Sequence, residues 1–72
     1  MRLKMRVNSK ALAEAILSMG YSQREARIRL RMTEKQFARL VHGGDPPIKA
    51  ITLKRLREVF PNAGELAYIS EG

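Results

Sequence analysis

Catalytic chemistry needs nucleophiles, acid–base pairs or metal ligands at defined spacings, and this sequence offers few of them. His42 is the only histidine and the chain contains no cysteine, so neither a thiolate metal site nor a disulfide framework can form. No nucleophile stands at a usable spacing from His42, and the carboxylates are scattered rather than paired. The run Gly43-Gly44-Asp45-Pro46 lacks the Lys-Ser/Thr of a phosphate-binding loop. We therefore expect a protein that is not an enzyme, with no cofactor, metal or small-molecule substrate.

Positive charge is the dominant chemical feature of the composition. Fourteen Lys and Arg residues oppose seven Asp and Glu residues, which gives a formal net charge of +7 over 72 residues. This excess favours an anionic partner, with nucleic acid ahead of an acidic protein or a membrane surface. The charge is not evenly spread, which argues against a role in solubility alone. Six cations fall between residues 20 and 43: Arg24, Arg27, Arg29, Arg31, Lys35 and Arg39.

The segment from Ser22 to His42 must position these cations, and it is typical of two short helices with a tight break between them. Ser22-x-x-Glu25 is a capping box that predicts a helix start. Residues 26–32 also alternate between apolar and basic, so a strand stays open as an alternative there.

Thr33, followed by Glu34, predicts the start of the second helix of this segment. Helical spacing buries one stripe of that helix and leaves the opposite face in solvent. The predicted buried stripe consists of Phe37, Leu40 and Val41. The predicted outward set consists of Glu34, Lys35, Ala38, Arg39 and His42. The Gly-Gly-Asp-Pro-Pro run at 43–47 must end the helix.

The two ends of the chain are predicted to be strands. Residues 1–8 alternate apolar and polar, which indicates a strand with one buried face. Such a strand needs a hydrogen-bonding partner near the C-terminus or on a second copy of the chain. Residues 65–70 fit either a short strand or a helical turn capped by Asn62, and we favour the strand because the first strand needs a partner.

Two further helices complete the predicted fold. Ser9 predicts the cap of a helix over residues 10–19, and Gly20 its left-handed end. The predicted buried side chains of this helix are Leu12, Ala15, Ile16 and Met19. The last helix is predicted from residue 51 or 52 to Phe60, with Leu53, Leu56, Val59 and Phe60 buried. A chain of 72 residues forms one domain, so we expect a mainly α, compact four-helix domain over residues 1–72. Since no run approaches the roughly 20 apolar residues of a membrane span, we expect a soluble, cytoplasmic protein with no membrane partner.

The run Gly20-Tyr21-Ser22-Gln23-Arg24-Glu25 resembles the start of the helix-turn-helix in DNA-binding regulators of the phage repressor/Cro class, also called XRE-like. The resemblance extends without a gap through Gly43 and covers roughly residues 9–66. Matching core positions are Ala26, Leu30, Met32, Phe37 and Leu40. The chain departs from the family at Arg27, where a small residue is usual, and at Arg31, where glycine is frequent. Arg27 would have to lie at the helix edge and extend its charge outward, and Arg31 would force a somewhat different turn.

The resemblance implies a role for each position. The helix that starts at Thr33 would enter the major groove and contact base edges. The base-contacting residues would be Glu34, Lys35, Ala38 and Arg39. The phosphate-contacting residues would be Gln23, Arg24, Thr33, Gln36 and His42. The resemblance implies a transcription regulator, for example a repressor, of a phage or its bacterial host, associated with the nucleoid. It would bind a palindromic operator in double-stranded DNA as a homodimer.

Two other hypotheses fit parts of the sequence. A ribbon-helix-helix dimer would use an alternating basic strand over residues 1–7, with Arg2, Lys4 and Arg6 in the major groove. It leaves Phe37 to Phe60 without a role. A protein-interaction module, such as an antirepressor without a DNA site of its own, would direct the same positive charges at an acidic protein.

Overall fold

The computed structural model describes residues 3–71 of the chain. Its elements are β1 (Leu3–Val7), α1 (Ser9–Ser18), α2 (Gln23–Leu30), α3 (Glu34–His42), α4 (Ala50–Val59) and β2 (Ala67–Glu71). The fold is mainly α, with four helices and two short antiparallel terminal strands, as the sequence predicts. Residues 1 and 2 of the predicted first strand lie outside the described residues. Residues 26–30 are helical, which excludes the strand alternative for most of that segment.

The two strands pair with each other within one chain. Met5 lies opposite Ile69 and Arg6 lies opposite Tyr68, so the C-terminal segment is a strand and not a helical turn. The other edge of β1 is also occupied. The Val7 N–H donates to the Pro46 carbonyl at 3.1 Å, and the Ile48 N–H donates to the Met5 carbonyl at 2.9 Å. β1 is therefore hydrogen-bonded on both edges.

The hydrophobic core joins all four helices to the inner end of the sheet. α1 packs on α3 and α2 packs on α4. The fully buried large side chains are Leu12, Leu30, Leu56 and Val7. Leu53 and Val59, predicted to be buried, are only partly so. Met19 was predicted to be buried as well, and this is wrong: it is 42% exposed. The chain reverses at Gly20, whose φ is 73°, and Tyr21 packs against the core instead.

The helix starts correct two further predictions. Asn8 and not Ser9 caps α1, because Asn8 has extended backbone angles and its side-chain oxygen accepts from the Ala11 N–H at 3.1 Å. Ser9 is buried and its hydroxyl donates to the Leu40 carbonyl at 2.6 Å. α4 begins at Ala50, one or two residues earlier than predicted, and ends at Val59, one residue earlier than predicted. Within residues 3–71, no helix has both the length and the apolar character required to cross a membrane.

Candidate nucleic-acid interface

A reciprocal cap fixes the start of α3. The Thr33 hydroxyl accepts from the Gln36 N–H, and the Gln36 side-chain oxygen accepts from the Thr33 N–H, both at 3.2 Å. This is the capping box that stabilises helix starts, made with Gln36 as the partner of Thr33. The cap uses the acceptor atoms of both side chains. The Thr33 hydroxyl proton and the Gln36 amide protons stay available as donors, which is the hydrogen-bonding role that a phosphate oxygen requires.

The two faces of α3 differ as the sequence predicts. Phe37 and Leu40 are buried, at 5% and 6% exposure. The opposite face is exposed along the whole helix and consists of Glu34, Lys35, Ala38, Arg39 and His42. The four predicted base-contacting residues and His42 therefore share one solvent-facing surface, which we call the α3 outer face.

The turn between α2 and α3 corrects the expectation about Arg31. Arg31 itself takes the left-handed conformation, with φ 56° and ψ 44°, that a glycine would take at this position. Two hydrogen bonds close the turn around it: Arg31 N–H to the Ile28 carbonyl at 3.1 Å and Met32 N–H to the Arg27 carbonyl at 3.2 Å. These bonds satisfy two of the four free carbonyls of the helix end. They offset a left-handed conformation that costs a non-glycine residue roughly 1–2 kcal/mol.

Arg27 lies at the edge of α2, and its guanidinium is turned partly toward the turn rather than wholly outward. Its side chain is half-buried, and its Nη1 donates to the Met32 carbonyl at 3.3 Å. The reason is that the turn after α2 exposes a backbone carbonyl within reach of this guanidinium. Arg27 therefore holds the turn with one nitrogen of its guanidinium, which keeps its positive charge.

Arg29 is also engaged within the chain. Its Nε lies 3.9 Å from a carboxylate oxygen of Glu25, and its guanidinium lies 4.6 Å above the centre of the Tyr21 ring. Glu25 consequently provides half of the predicted capping box: its N–H donates to the Ser22 hydroxyl at 3.1 Å, while its carboxylate faces Arg29. Among residues 3–71, this is the one ion pair that the structure contains.

One groove joins the start of α2 to the α3 outer face. Its volume is about 460 Å³, and it brings Gln23, Arg24 and Arg27 of α2 beside Glu34, Ala38 and His42 of α3. Gln23 and Arg24 are exposed at the first turn of α2, where the helix dipole favours an anion. Three predicted phosphate-contacting residues thus lie beside two predicted base-contacting residues.

A second groove, of about 330 Å³, runs along the other side of α3. Gln36 and Arg39 line it on the α3 side, and Lys49 and Arg55 line it on the α4 side. The sequence analysis missed Lys49 and Arg55. Their charge is visible in the sequence, but their position beside α3 depends on the path of residues 43–48, which local patterns do not encode. Lys49 also precedes a helix whose first turn has no side-chain cap.

Comparison of the chain with protein-family models, with curated proteins and with solved structures finds no match. The functional interpretation is therefore built on the geometry of these two grooves and of the helix between them.

Proposed function

We propose that this protein is a sequence-specific regulator of transcription that binds double-stranded DNA with α3 in the major groove. The observation that carries the proposal is the α3 outer face. It presents Lys35 and Arg39 to solvent, and neither cation has a carboxylate partner among the described residues. A helix with its cations on an exposed face and a groove on each side fits the major groove, which is about 12 Å wide.

The side chains on the α3 outer face can distinguish base pairs. Arg39 and Lys35 suit the O6 and N7 acceptors of guanine, and Glu34 can accept from the amino group of cytosine. Ala38 lies between them and can contact a thymine methyl group at close approach. Lys35 and Arg39 are four residues apart, so they follow one another along the same side of the helix.

The residues beside the two grooves suit the phosphates that border the major groove. On one side these are Gln23, Arg24 and His42, and on the other Gln36, Lys49 and Arg55. Thr33 lies at the helix start between them. Contacts of this kind fix the position of a protein on the duplex without specifying sequence. The cations among them, Arg24, Lys49 and Arg55, would neutralise phosphates and release bound counterions, so the affinity should depend strongly on salt.

We propose a homodimer because one α3 reaches only a half-site. The terminal strands pair with each other within one chain, so they do not need a second copy of the chain as a bonding partner. The outer edge of β2 supports the homodimer instead. The backbone groups of Met5 and Val7 face residues 46–48, so by strand alternation those of Lys4 and Arg6 face β2.

It follows from the register that Tyr68 and Ser70 bond to β1, whereas Ala67, Ile69 and Glu71 direct their N–H and C=O groups outward. An antiparallel copy of β2 centred on Ile69 would satisfy all three residues in both chains, which is the self-complementary geometry of a two-fold interface. It would also bring Ile69, now 62% exposed, against its counterpart, next to the exposed Leu3. This dimer would present two copies of α3 to a palindromic operator.

The ribbon-helix-helix hypothesis lacks structural support. In that arrangement the first strand pairs with the same strand of a second chain, but here β1 has no open edge. Arg6, which would have to contact bases, donates to the Ser70 hydroxyl at 2.9 Å and to the Asp45 carbonyl at 3.0 Å. The interaction-module hypothesis makes no use of the two grooves, although it accommodates the charge. The proposed function needs only DNA and a second chain, so we propose that the protein is cytoplasmic and has no cofactor.

Selection of bound duplexes from a random DNA pool tests the proposal. We expect enrichment of a two-fold symmetric sequence whose half-sites lie about one helical turn apart. Affinity for the selected duplex should fall steeply between about 50 and 200 mM salt. Absence of enrichment, together with no binding to any duplex at low salt, would contradict DNA binding and favour the interaction module.

A further inference from the structure

A cluster of hydrogen bonds meets at the loop that follows α3, with Asp45 at its centre. One carboxylate oxygen of Asp45 accepts from the Ser9 N–H at 2.9 Å. The other accepts from the Tyr68 hydroxyl at 2.6 Å. In return, the Asp45 N–H donates to the Ser9 hydroxyl at 3.2 Å. Asp45 thus ties the start of α1 to β2, two elements that are distant in sequence.

Ser9 extends the cluster into the last turn of α3. Its hydroxyl donates to the Leu40 carbonyl at 2.6 Å, and the bond is buried. Carbonyls of a last helical turn lack partners within the helix, so Ser9 supplies one from outside. The end of the predicted base-contacting helix is therefore bonded through Ser9 to Asp45.

Arg6 connects the same loop to the sheet. Its guanidinium donates to the Asp45 carbonyl and to the Ser70 hydroxyl. Tyr68 and Ser70 both belong to β2, so two side chains of the C-terminal strand contribute to the cluster. We call Arg6, Ser9, Asp45, Tyr68 and Ser70 the Asp45 cluster.

The loop after α3 contains consecutive residues with positive φ, and the hydrogen bonds of the Asp45 cluster hold this backbone conformation. Gly44 and Asp45 are consecutive residues with positive φ, 67° and 59°. A non-glycine residue with positive φ is strained unless its surroundings fix it. The chain leaves α3 through this sharp turn and enters the segment that bonds to β1, so the orientation of the last turn of α3 depends on the loop.

The titration behaviour of the cluster agrees with its geometry. The hydrogen bond from Tyr68, and then that from the Ser9 N–H, hold the pKa of Asp45 below its ordinary value of 3.8. The hydrogen bond to Asp45 raises the pKa of Tyr68 above its ordinary value of 10.0. At neutral pH both groups are in the states that the bond requires, a carboxylate and a neutral hydroxyl.

We infer that Ser9, Asp45 and Tyr68 are positioning residues that set the orientation of the α3 outer face, so that the C-terminal strand takes part in base recognition without touching DNA. The inference rests on the proposed function for its DNA readout. It places a determinant of sequence specificity in β2, which is joined to α3 by the bonds from Tyr68 through Asp45 and Ser9 to Leu40.

The substitution Tyr68→Phe removes one hydroxyl and tests the inference. The measured quantity is the ratio of the affinity for the selected duplex to that for a scrambled duplex, at a temperature where the variant is folded. We expect this ratio to fall about tenfold, which is within the range that one bidentate base contact contributes to discrimination between bases. Affinity for the scrambled duplex should hardly change, because phosphate contacts tolerate a small rotation. A lower stability alone would not change the ratio. Tyr21→Phe is the matched control, since the Tyr21 hydroxyl makes none of the side-chain hydrogen bonds found in residues 3–71.

Three substitutions of Asp45 separate the cluster from the backbone strain. Asp45→Asn keeps an acceptor for the Ser9 N–H and tolerates positive φ, so this variant should retain most of the wild-type affinity ratio. Asp45→Gly relieves the strain but removes the carboxylate, and should reduce the ratio as much as Tyr68→Phe does. Asp45→Ala removes the carboxylate and keeps a side chain at a positive φ, so it should have the lowest affinity ratio of the three variants. A glycine variant with the full wild-type ratio would overturn the inference.

Hydrogen exchange without DNA distinguishes failure of the inference from failure of the proposed function. We expect Tyr68→Phe to accelerate exchange at the amides of Gly43, Gly44, Asp45 and Ile48 relative to Tyr21→Phe. If the wild-type protein selects no DNA, the proposed function fails, and unchanged exchange in this segment would separately overturn the cluster as a positioning device. If the protein does select DNA, an unchanged affinity ratio in Tyr68→Phe overturns the inference alone.

Discussion

α2 and α3 are consecutive helices of 8 and 9 residues, yet they use positive charge in opposite ways. In α2, Arg27 bonds to a turn carbonyl and Arg29 contacts Glu25 and Tyr21. In α3, Lys35 and Arg39 are exposed and no carboxylate pairs with them within residues 3–71. The difference shows that local charge density in a sequence overstates the charge that is available to a partner. Two arginines of α2 contact groups of their own chain, and only Arg27 contacts the turn. The cations of α3 face solvent.

The two helices also end differently. α2 ends at Arg31, whose left-handed conformation is stabilised by two local hydrogen bonds. The Arg31 N–H donates to the Ile28 carbonyl, and the Met32 N–H donates to the Arg27 carbonyl. α3 ends at Gly43, with a negative φ of −86°, and its last turn is bonded to Ser9 across the molecule. The end of α2 is thus a local device, whereas the end of α3 depends on long-range contacts. Four substitution experiments test this contrast.

The largest effect on stability is expected at Gly43. A Cβ atom at this position would collide with the backbone carbonyl oxygen of Arg39, so the need for glycine is steric. We expect Gly43→Ala to lower the free energy of unfolding by about 2–3 kcal/mol, measured by urea denaturation. Gly64→Ala is the control, because its Cβ would meet no atom within 4 Å. Equal stability of the two variants would show that the end of α3 is not constrained in this way.

Arg24 and Arg27 should separate affinity from stability. Arg27→Ala removes the hydrogen bond to the Met32 carbonyl and should lower the free energy of unfolding by about 1 kcal/mol. Arg24→Ala should leave stability within about 0.5 kcal/mol and weaken binding to all duplexes several-fold, with a smaller salt dependence. The same effect of both variants on stability would remove the distinction between engaged and free arginines in α2.

Arg31 should respond in the opposite direction to Gly20. Arg31→Gly relieves a left-handed conformation and should raise the free energy of unfolding by about 0.5–1 kcal/mol. Gly20→Ala places a side chain at a φ of 73° and should lower it by about 1 kcal/mol. Thermal denaturation of both variants measures the pair. A loss of stability in Arg31→Gly would show that the Arg31 side chain contributes more than its backbone costs.

The smallest effect is the pH dependence of the Asp45 cluster. The pKa of Asp45 is lowered by folding, so its contribution to stability is present above the unfolded value and is lost as pH falls through the folded value. Urea denaturation from about pH 5 to about pH 3 should therefore weaken the wild-type protein more than Asp45→Asn. The pKa of Tyr68 is raised, so its contribution is full below pH 10.0 and is lost as pH rises through the folded pKa. If the free energy of unfolding depends on pH in the same way in the wild-type protein and in Asp45→Asn, the bond between Asp45 and Tyr68 would be contradicted.

The sequence predicted the parts of the fold that depend on local rules. Apolar spacing placed all four helices, and Thr33 and Gly20 marked the ends where capping geometry acts within one turn. Residue alternation predicted the first strand, and the need of that strand for a bonding partner favoured a strand over a helical turn at the C-terminal end. The α3 outer face was predicted residue by residue because helical periodicity alone determines it.

The errors lie where the partner or position of a side chain is not indicated by its local sequence pattern. Serine commonly caps helices, but the Ser9 hydroxyl donates to the Leu40 carbonyl, and Asn8 caps α1 instead. Arg27 has the chemistry of a surface cation, but a turn carbonyl lies within its reach. Asp45 was recognised only as part of a loop, because its partners Ser9 and Tyr68 are 36 and 23 residues away in sequence. Lys49 and Arg55 were missed for the same reason.

The most direct test of the central claim compares two double substitutions that each remove two positive charges. Lys35→Ala with Arg39→Ala removes the cations of the α3 outer face, and Lys54→Ala with Arg57→Ala removes two exposed cations of α4. The first variant should lose about a hundredfold or more in affinity for the selected duplex, since each bidentate base contact contributes about 1–3 kcal/mol. The second should lose only the few-fold expected from lower net charge. Equal losses in the two variants, or full sequence preference in the α3 variant, would contradict recognition of DNA by α3.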